Sequence, residues 1–145
     1  MKIIKKLKKE LDEVEVVVSY SEDSFYIKRI IASLENLDID LTGYKNQSYY
    51  RLHTNEILYI ESIDRKTYLY SESDFYQSKM TLYELELLLK ESCFIRISKS
   101  MIVNLNRVRS LQAEVGRRIL MTMDNKEKIL VSRHYANHVK EELGI

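Results

Sequence analysis

Apolar and polar residues alternate with a period of two through most of the chain beyond Tyr44, while the stretch before it carries a helical period. Over residues 22–37, Phe25, Ile27, Ile30, Ile31, Leu34 and Leu37 fall close to helical spacing, with Ser21 as N-cap and Glu22 and Asp23 in the first turn. Residues 14–20, just upstream, are short and β-branched and read as a strand. Asp38 to Gly43 reads as the linker that ends this β-α unit. Strands are then predicted at Ser48 to Leu52, Ile57 to Ser62, Thr67 to Ser71 and Phe75 to Lys79, with turns at Asp64-Arg65-Lys66 and Glu72-Ser73-Asp74. Thr81 to Glu84 has the pattern of a capping box, opening a helix that carries Leu82, Leu85 and Leu89 on one face and ends near Lys90. Short strands follow near 94–97, 101–103 and 107–112. Arg117 to Met123 and Lys126 to Val131 form a hairpin around Asp124-Asn125, and His134 to Leu143 a closing helix with Tyr135, Val139 and Leu143 inward. The expected fold is mostly β, α+β overall: a small β-α extension over residues 1–43, then a multi-stranded β domain with two short helices over residues 44–145.

Composition narrows the class. The 145 residues suit one domain with a small extension, and 45% hydrophobic residues can fill its core. Proline is absent, which suits sheets because proline cannot donate to a strand ladder. No apolar run approaches the length of a bilayer span, and Met1 to Lys6 lack the long apolar run of a secretory signal. A single cysteine, Cys93, excludes an internal disulfide and a cysteine-caged metal. These features point to the cytoplasm. Net charge is only +1, yet its distribution is uneven: +4 over residues 1–10, −8 over 11–92, +7 over 93–140. That pattern suggests an acidic body and a basic working face.

The densest information lies between Phe94 and Val108, where two apolar-alternating strands flank the polar turn Ser98-Lys99-Ser100. The turn offers one cation and two hydroxyls, groups that contact phosphate oxygens. With Ile57 to Ser62 upstream and Leu130-Val131-Ser132-Arg133 downstream, the chain resembles the LytTR family of bacterial DNA-binding domains. The resemblance covers residues 44–144. It is carried by Glu56 to Ser62, Leu82, Leu85-Glu86, Phe94-Ile95-Arg96, Ser98, Ser100, Val103-Asn104 and Val131-Ser132-Arg133. It implies a β-rich transcription regulator, without catalysis or cofactor, whose loops enter neighbouring grooves of double-stranded promoter DNA. Family members bind direct repeats, so two protomers, as a homodimer, are expected on one face of the duplex. The first 43 residues are too short for a receiver domain. They look like the extension of stand-alone LytTR regulators, which are often produced with a small membrane protein that restrains them.

The resemblance places DNA-facing groups at three turns. In the first, Arg65 and Lys66 suit phosphate, and Thr67 stands where some members place a base-reading histidine, though with shorter reach. In the second, Lys99 is a point cation suited to the backbone, and Ser98 and Ser100 either donate to phosphate or serve only as local turn-formers. Arg96, between inward Ile95 and Ile97, should face outward. In the third, Arg133 can pair two donors with guanine, and His134 is the alternative base reader one residue later. Arg117 or Arg118 is expected on the same surface as these cations.

Other chemistry is weaker. His134 and His138 have zinc-compatible spacing, but only Glu141 or Glu142 could complete a site, so no metal is expected. Cys93 has no candidate base and should pack at a sheet edge. The many tyrosines, among them Tyr49, Tyr50, Tyr59, Tyr68 and Tyr70, alternate with Leu and Ile as half-buried strand residues do. Residues 2–11 could form a basic amphipathic helix serving as a membrane anchor, a DNA arm or a dimer contact, or be a frayed end. Two rival functions remain: a protein-interaction module, such as an anti-activator, that does not bind DNA, and an RNA-binding β domain, which exposed clustered aromatics on a sheet face would favour.

Overall fold

The computed structural model describes residues 1–35, 37 and 39–145. Among them are three helices and ten strands. In chain order these are α1 (Phe25–Glu35), β1 (Asp40–Lys45), β2 (Ser48–His53), β3 (Tyr59–Ile63), β4 (Lys66–Tyr70), β5 (Phe75–Ser78), α2 (Leu82–Leu88), β6 (Phe94–Arg96), β7 (Met101–Asn104), β8 (Val108–Glu114), β9 (Arg118–Met123), β10 (Lys128–Val131) and α3 (Arg133–Leu143). The strands form a seven-stranded sheet ordered β2-β1-β5-β4-β3-β7-β6 and a three-stranded sheet ordered β10-β9-β8. Every pairing is antiparallel.

The large sheet is the middle layer, and its pleat explains why. Successive strand residues point to opposite faces. Ile60 and Ile102 therefore join Leu69, the α2 residues Leu82 and Leu85, and Leu89 at its C-cap in one core. Their neighbours Tyr59 and Val103 join Met121, Met123, Val131, Ala136 and Val139 in a second core, under the small sheet and α3. The apolar face expected for α2 is buried, and the Thr81 hydroxyl caps it by accepting the Glu84 amide at 3.2 Å. In α3, Val139 is buried, with Tyr135 and Leu143 half-buried against the same core. Asn104 is a buried polar pin. Its side-chain amide donates to the Ile57 carbonyl at 2.9 Å, and its oxygen accepts the Asn106 amide at 3.0 Å.

The amino-terminal region departs from expectation. Among the described residues, 14–20 pair with no strand, and Val14, Val16, Val17 and Tyr20 stay exposed. β-propensity reports fit to a pleated neighbour, and none reaches this stretch. The expected linker also fails: residues 40–43 belong to β1, which pairs with β2 along its length. A Cβ at Gly43 would lie 2.5 Å from that of Tyr76, so the glycine lets β1 lie close to β5. Asn36 and Asp38, parts of the expected helix and linker, lie outside the described residues. The basic stretch 2–11 is not helical. Helix α1 meets the rest of the chain through Phe25, beside Gly144, and through Arg29 and Ser33. The Arg29 guanidinium donates to the Asn106 side chain at 2.8 Å, and the Asn106 amide donates to Ser33 at 3.2 Å. Ile27, Ile30 and Leu34 instead line a groove with residues 15–22. Cys93 is buried at the start of edge strand β6, its sulfur 3.9 Å from the Ser33 hydroxyl.

Candidate nucleic-acid interface

Strand register brings the three expected turns together. The first joins β3 to β4, with Ile63 opposite Lys66. Its two central residues, Asp64 and Arg65, have φ of 50° and 65°, the left-handed pair that a tight hairpin needs. Arg65 and Lys66 are exposed. Thr67 is not: it is 6% exposed, between Ser62 of β3 and Ser78 of β5. The pleat thus turns its short side chain into the sheet, away from the surface that Arg65 and Lys66 present.

The second turn, between β6 and β7, sits beside the first because β7 pairs with β3. The Ser62 amide donates to the Ser100 carbonyl at 2.8 Å. The Ser98 hydroxyl accepts the Ser100 amide at 3.2 Å, so Ser98 acts as a turn-former. Lys99 and Ser100 are exposed, and Ser98 is half-buried. Arg96 does not point freely outward. Its guanidinium donates to the Ser98 carbonyl at 2.7 Å, to the Lys99 carbonyl and to the Glu86 carboxylate of α2. It holds the turn in shape from behind, a role that strand alternation alone does not reveal.

The third turn is tied to the second, since the Ser132 amide donates to the Ile97 carbonyl at 3.0 Å. Arg133 and His134 are the first residues of α3, and both are exposed. The helix has no acidic residue in its first turn and no side-chain cap from Ser132. Cations are disfavoured at a helix start, where the backbone dipole favours anions. The Tyr135 amide donates to the Ser132 carbonyl at 3.0 Å, and the Arg133 and His134 amides, with no partner among the described residues, suit with Arg133 a phosphate-bearing ligand. Arg117 and Arg118, at the β8–β9 turn, share this end: β9 runs beside β10 with Ile119 opposite Val131.

Within these turns Asp64 is the one acidic residue. Among the described residues, Arg65, Lys66, Lys99, Arg117 and Arg133 form no ion pair. By contrast Arg107, at the opposite end of the domain, is paired with Glu72 and Asp124. Helix α1 contacts Asn106, beyond the far end of β7 from Ser100, and so leaves the basic turns uncovered.

Residues 47–144 match the family described as LytTr DNA-binding domain. The chain belongs to the LytTR family. A LytTr DNA-binding domain of a putative methyl-accepting/DNA response regulator from Bacillus cereus has a similar structure, with TM-score 0.70 and 31% identity, covering 73% of this chain and 97% of that one. Two relatives from Staphylococcus aureus, of strains bovine RF122/ET3-1 and MSSA476, are each 30% identical over 122 residues, 83% of this chain and 82% of theirs. Both are named as uncharacterized HTH-type transcriptional regulators. In this LytTR chain strands separate α1, α2 and α3, so no two consecutive helices form a helix-turn-helix among the described residues. The family is a DNA-binding one, not a catalytic one. No described helix is long and apolar enough to cross a membrane.

Proposed function

We propose that this chain regulates transcription by sequence-specific binding of double-stranded DNA through the three clustered turns. Arg65, Lys66 and Lys99, with the Ser100 hydroxyl, grip phosphates. Arg133, or His134 beside it, reads a base edge in the major groove. The observation that carries this reading is the pair of backbone hydrogen bonds, Ser62 to Ser100 and Ser132 to Ile97, that fixes three basic turns side by side. Rigid flanks limit the ordering cost of binding. Two protomers on a direct repeat, in phase by one or two helical turns of ~10.5 base pairs, complete the arrangement. Footprinting on the region upstream of its own gene tests it: the expected result is protection of two repeated half-sites, and uniform or absent protection would refute sequence-specific binding.

An aromatic group on β1 and β2 supports a second reading, RNA binding. Tyr44 and Tyr49 are exposed, with rings 5.1 Å apart, while Tyr50 points to the other face beside Tyr76. The Lys79 ammonium lies 4.9 Å from the Tyr49 ring centre and already occupies a face that a base would stack on. Competition between duplex DNA and single-stranded RNA separates the two readings, with duplex expected to win.

A further inference from the structure

We infer that the β8–β9 turn is a fourth DNA contact, with Arg117 gripping the phosphate backbone beside the base read from the start of α3. The inference rests on the DNA-binding reading above and extends it to a part of the chain that reading does not use.

Three observations carry it. The first is position. Ala113 and Ile119 are register partners, as are Ile119 and Val131, so the turn at Val115, Gly116 and Arg117 projects from the same end as Ser132 and Arg133. The strands that carry the turns run β4-β3-β7-β6 in the large sheet and β10-β9-β8 in the small one. The Ser132 to Ile97 hydrogen bond joins the two sheets at this end.

The second is a division of labour between neighbouring arginines. Arg118 Nε donates to the Val115 carbonyl at 3.1 Å and braces the turn. Arg117 is exposed, and among the described residues its guanidinium has no partner. The pair repeats the arrangement of the second turn, where Arg96 braces the backbone and Lys99 is left free.

The third is backbone conformation. Gly116 has φ of 79° and Arg117 of 63°. The left-handed region favours glycine or asparagine, so an arginine there is held at some conformational cost. Arg65 occupies the same conformation at the tip of the first turn, with φ of 65°. Left-handed backbone alone is not the signal, because Lys126, in the β9–β10 turn at the opposite end of the small sheet, has φ of 72°. Among the described residues, Arg65 and Arg117 are the only cations that combine it with a place in the basic array. Lys126 is therefore the natural control.

The test is binding of the full chain to a long labelled duplex of mixed sequence across a salt series. A phosphate contact operates on any sequence, so no promoter is needed. Arg117→Ala should weaken binding about threefold to tenfold at low salt and make the log–log salt slope shallower by about 0.9. Arg117→Lys should keep most of the affinity. Arg117→Gly should weaken binding as much as Arg117→Ala while its Tm does not fall, because the positive φ suits glycine. That combination excludes misfolding as the cause. Lys126→Ala should bind as the unaltered chain does. If the unaltered chain shows salt-dependent binding and both Arg117→Ala and Arg117→Gly match it, the fourth contact is wrong and the three-turn reading stands. If the unaltered chain shows no salt-dependent binding to duplex DNA, both are wrong.

Discussion

The Ser132 amide donates to the Ile97 carbonyl at 3.0 Å, joining the start of α3 to the end of β6. The start of α3 and the second turn are thereby held on one frame. Arg133 and Lys99 lie on either side of that bond, and their different chemistry gives different expectations. Arg133→Ala should cost about 1–3 kcal/mol on the specific site and much less on mixed-sequence DNA. Lys99→Ala should weaken both by similar factors, since a phosphate is the same everywhere. Parallel titrations on the two duplexes measure the ratio. If His134→Ala loses specificity and Arg133→Ala behaves like Lys99→Ala, the base reader is His134.

Arg96 shapes the second turn without facing the ligand. Arg96→Ala should lower stability by about 1–3 kcal/mol, because two carbonyls lose a charged donor. Its specific affinity should fall further than that of Glu86→Gln, which leaves the Ser98 and Lys99 carbonyls satisfied. Denaturant melts together with anisotropy titrations check both effects. Equal affinities for the two variants would mean that the turn keeps its shape unaided.

Asn104 offers a test of the frame away from the DNA. Asn104→Ala should destabilise the chain by about 1–3 kcal/mol by taking the side-chain donor from the Ile57 carbonyl and the acceptor from the Asn106 amide. The salt slope of DNA binding should not change. A slope altered as strongly as by Arg117→Ala would place Asn104 in the interface.

Much of this architecture is legible in the residues. Ile95 and Ile97 alternate with Arg96 ahead of the polar turn, and the adjacent pair Ile102 and Val103 beyond it is buried on both faces because each face meets a different layer. Thr81 with Glu84 marks the start of α2 for an equally local reason. What is not legible depends on distant neighbours. Residues 14–20 have strand composition but no strand to pair with. Thr67 lies beside two exposed cations, yet β3 and β5 on either side cover it. Arg96 alternates outward as expected, but the nearby carbonyls of Ser98 and Lys99 and the carboxylate of Glu86 capture it.

Strand β1 pairs with β2 along its length, so the two deletions on either side of its start should behave differently. A chain lacking residues 1–38 should melt cooperatively and bind a single half-site as the full chain does, since α1 sits at the far end. Removing residues 1–43 truncates β1, strips partners from Leu52 and Tyr76, and should lower the Tm markedly. If the extension also joins protomers, the shorter deletion should reduce cooperativity on tandem sites without changing half-site affinity. Unchanged cooperativity would remove that role.

The salt dependence of affinity for the footprinted promoter site tests the central claim most directly. Arg65, Lys66, Lys99 and Arg117 together should make log affinity fall with log salt with a slope of about −3 to −4, at roughly 0.9 per phosphate neutralised. A slope near zero between low and moderate salt would contradict a phosphate-gripping array at this end of the molecule.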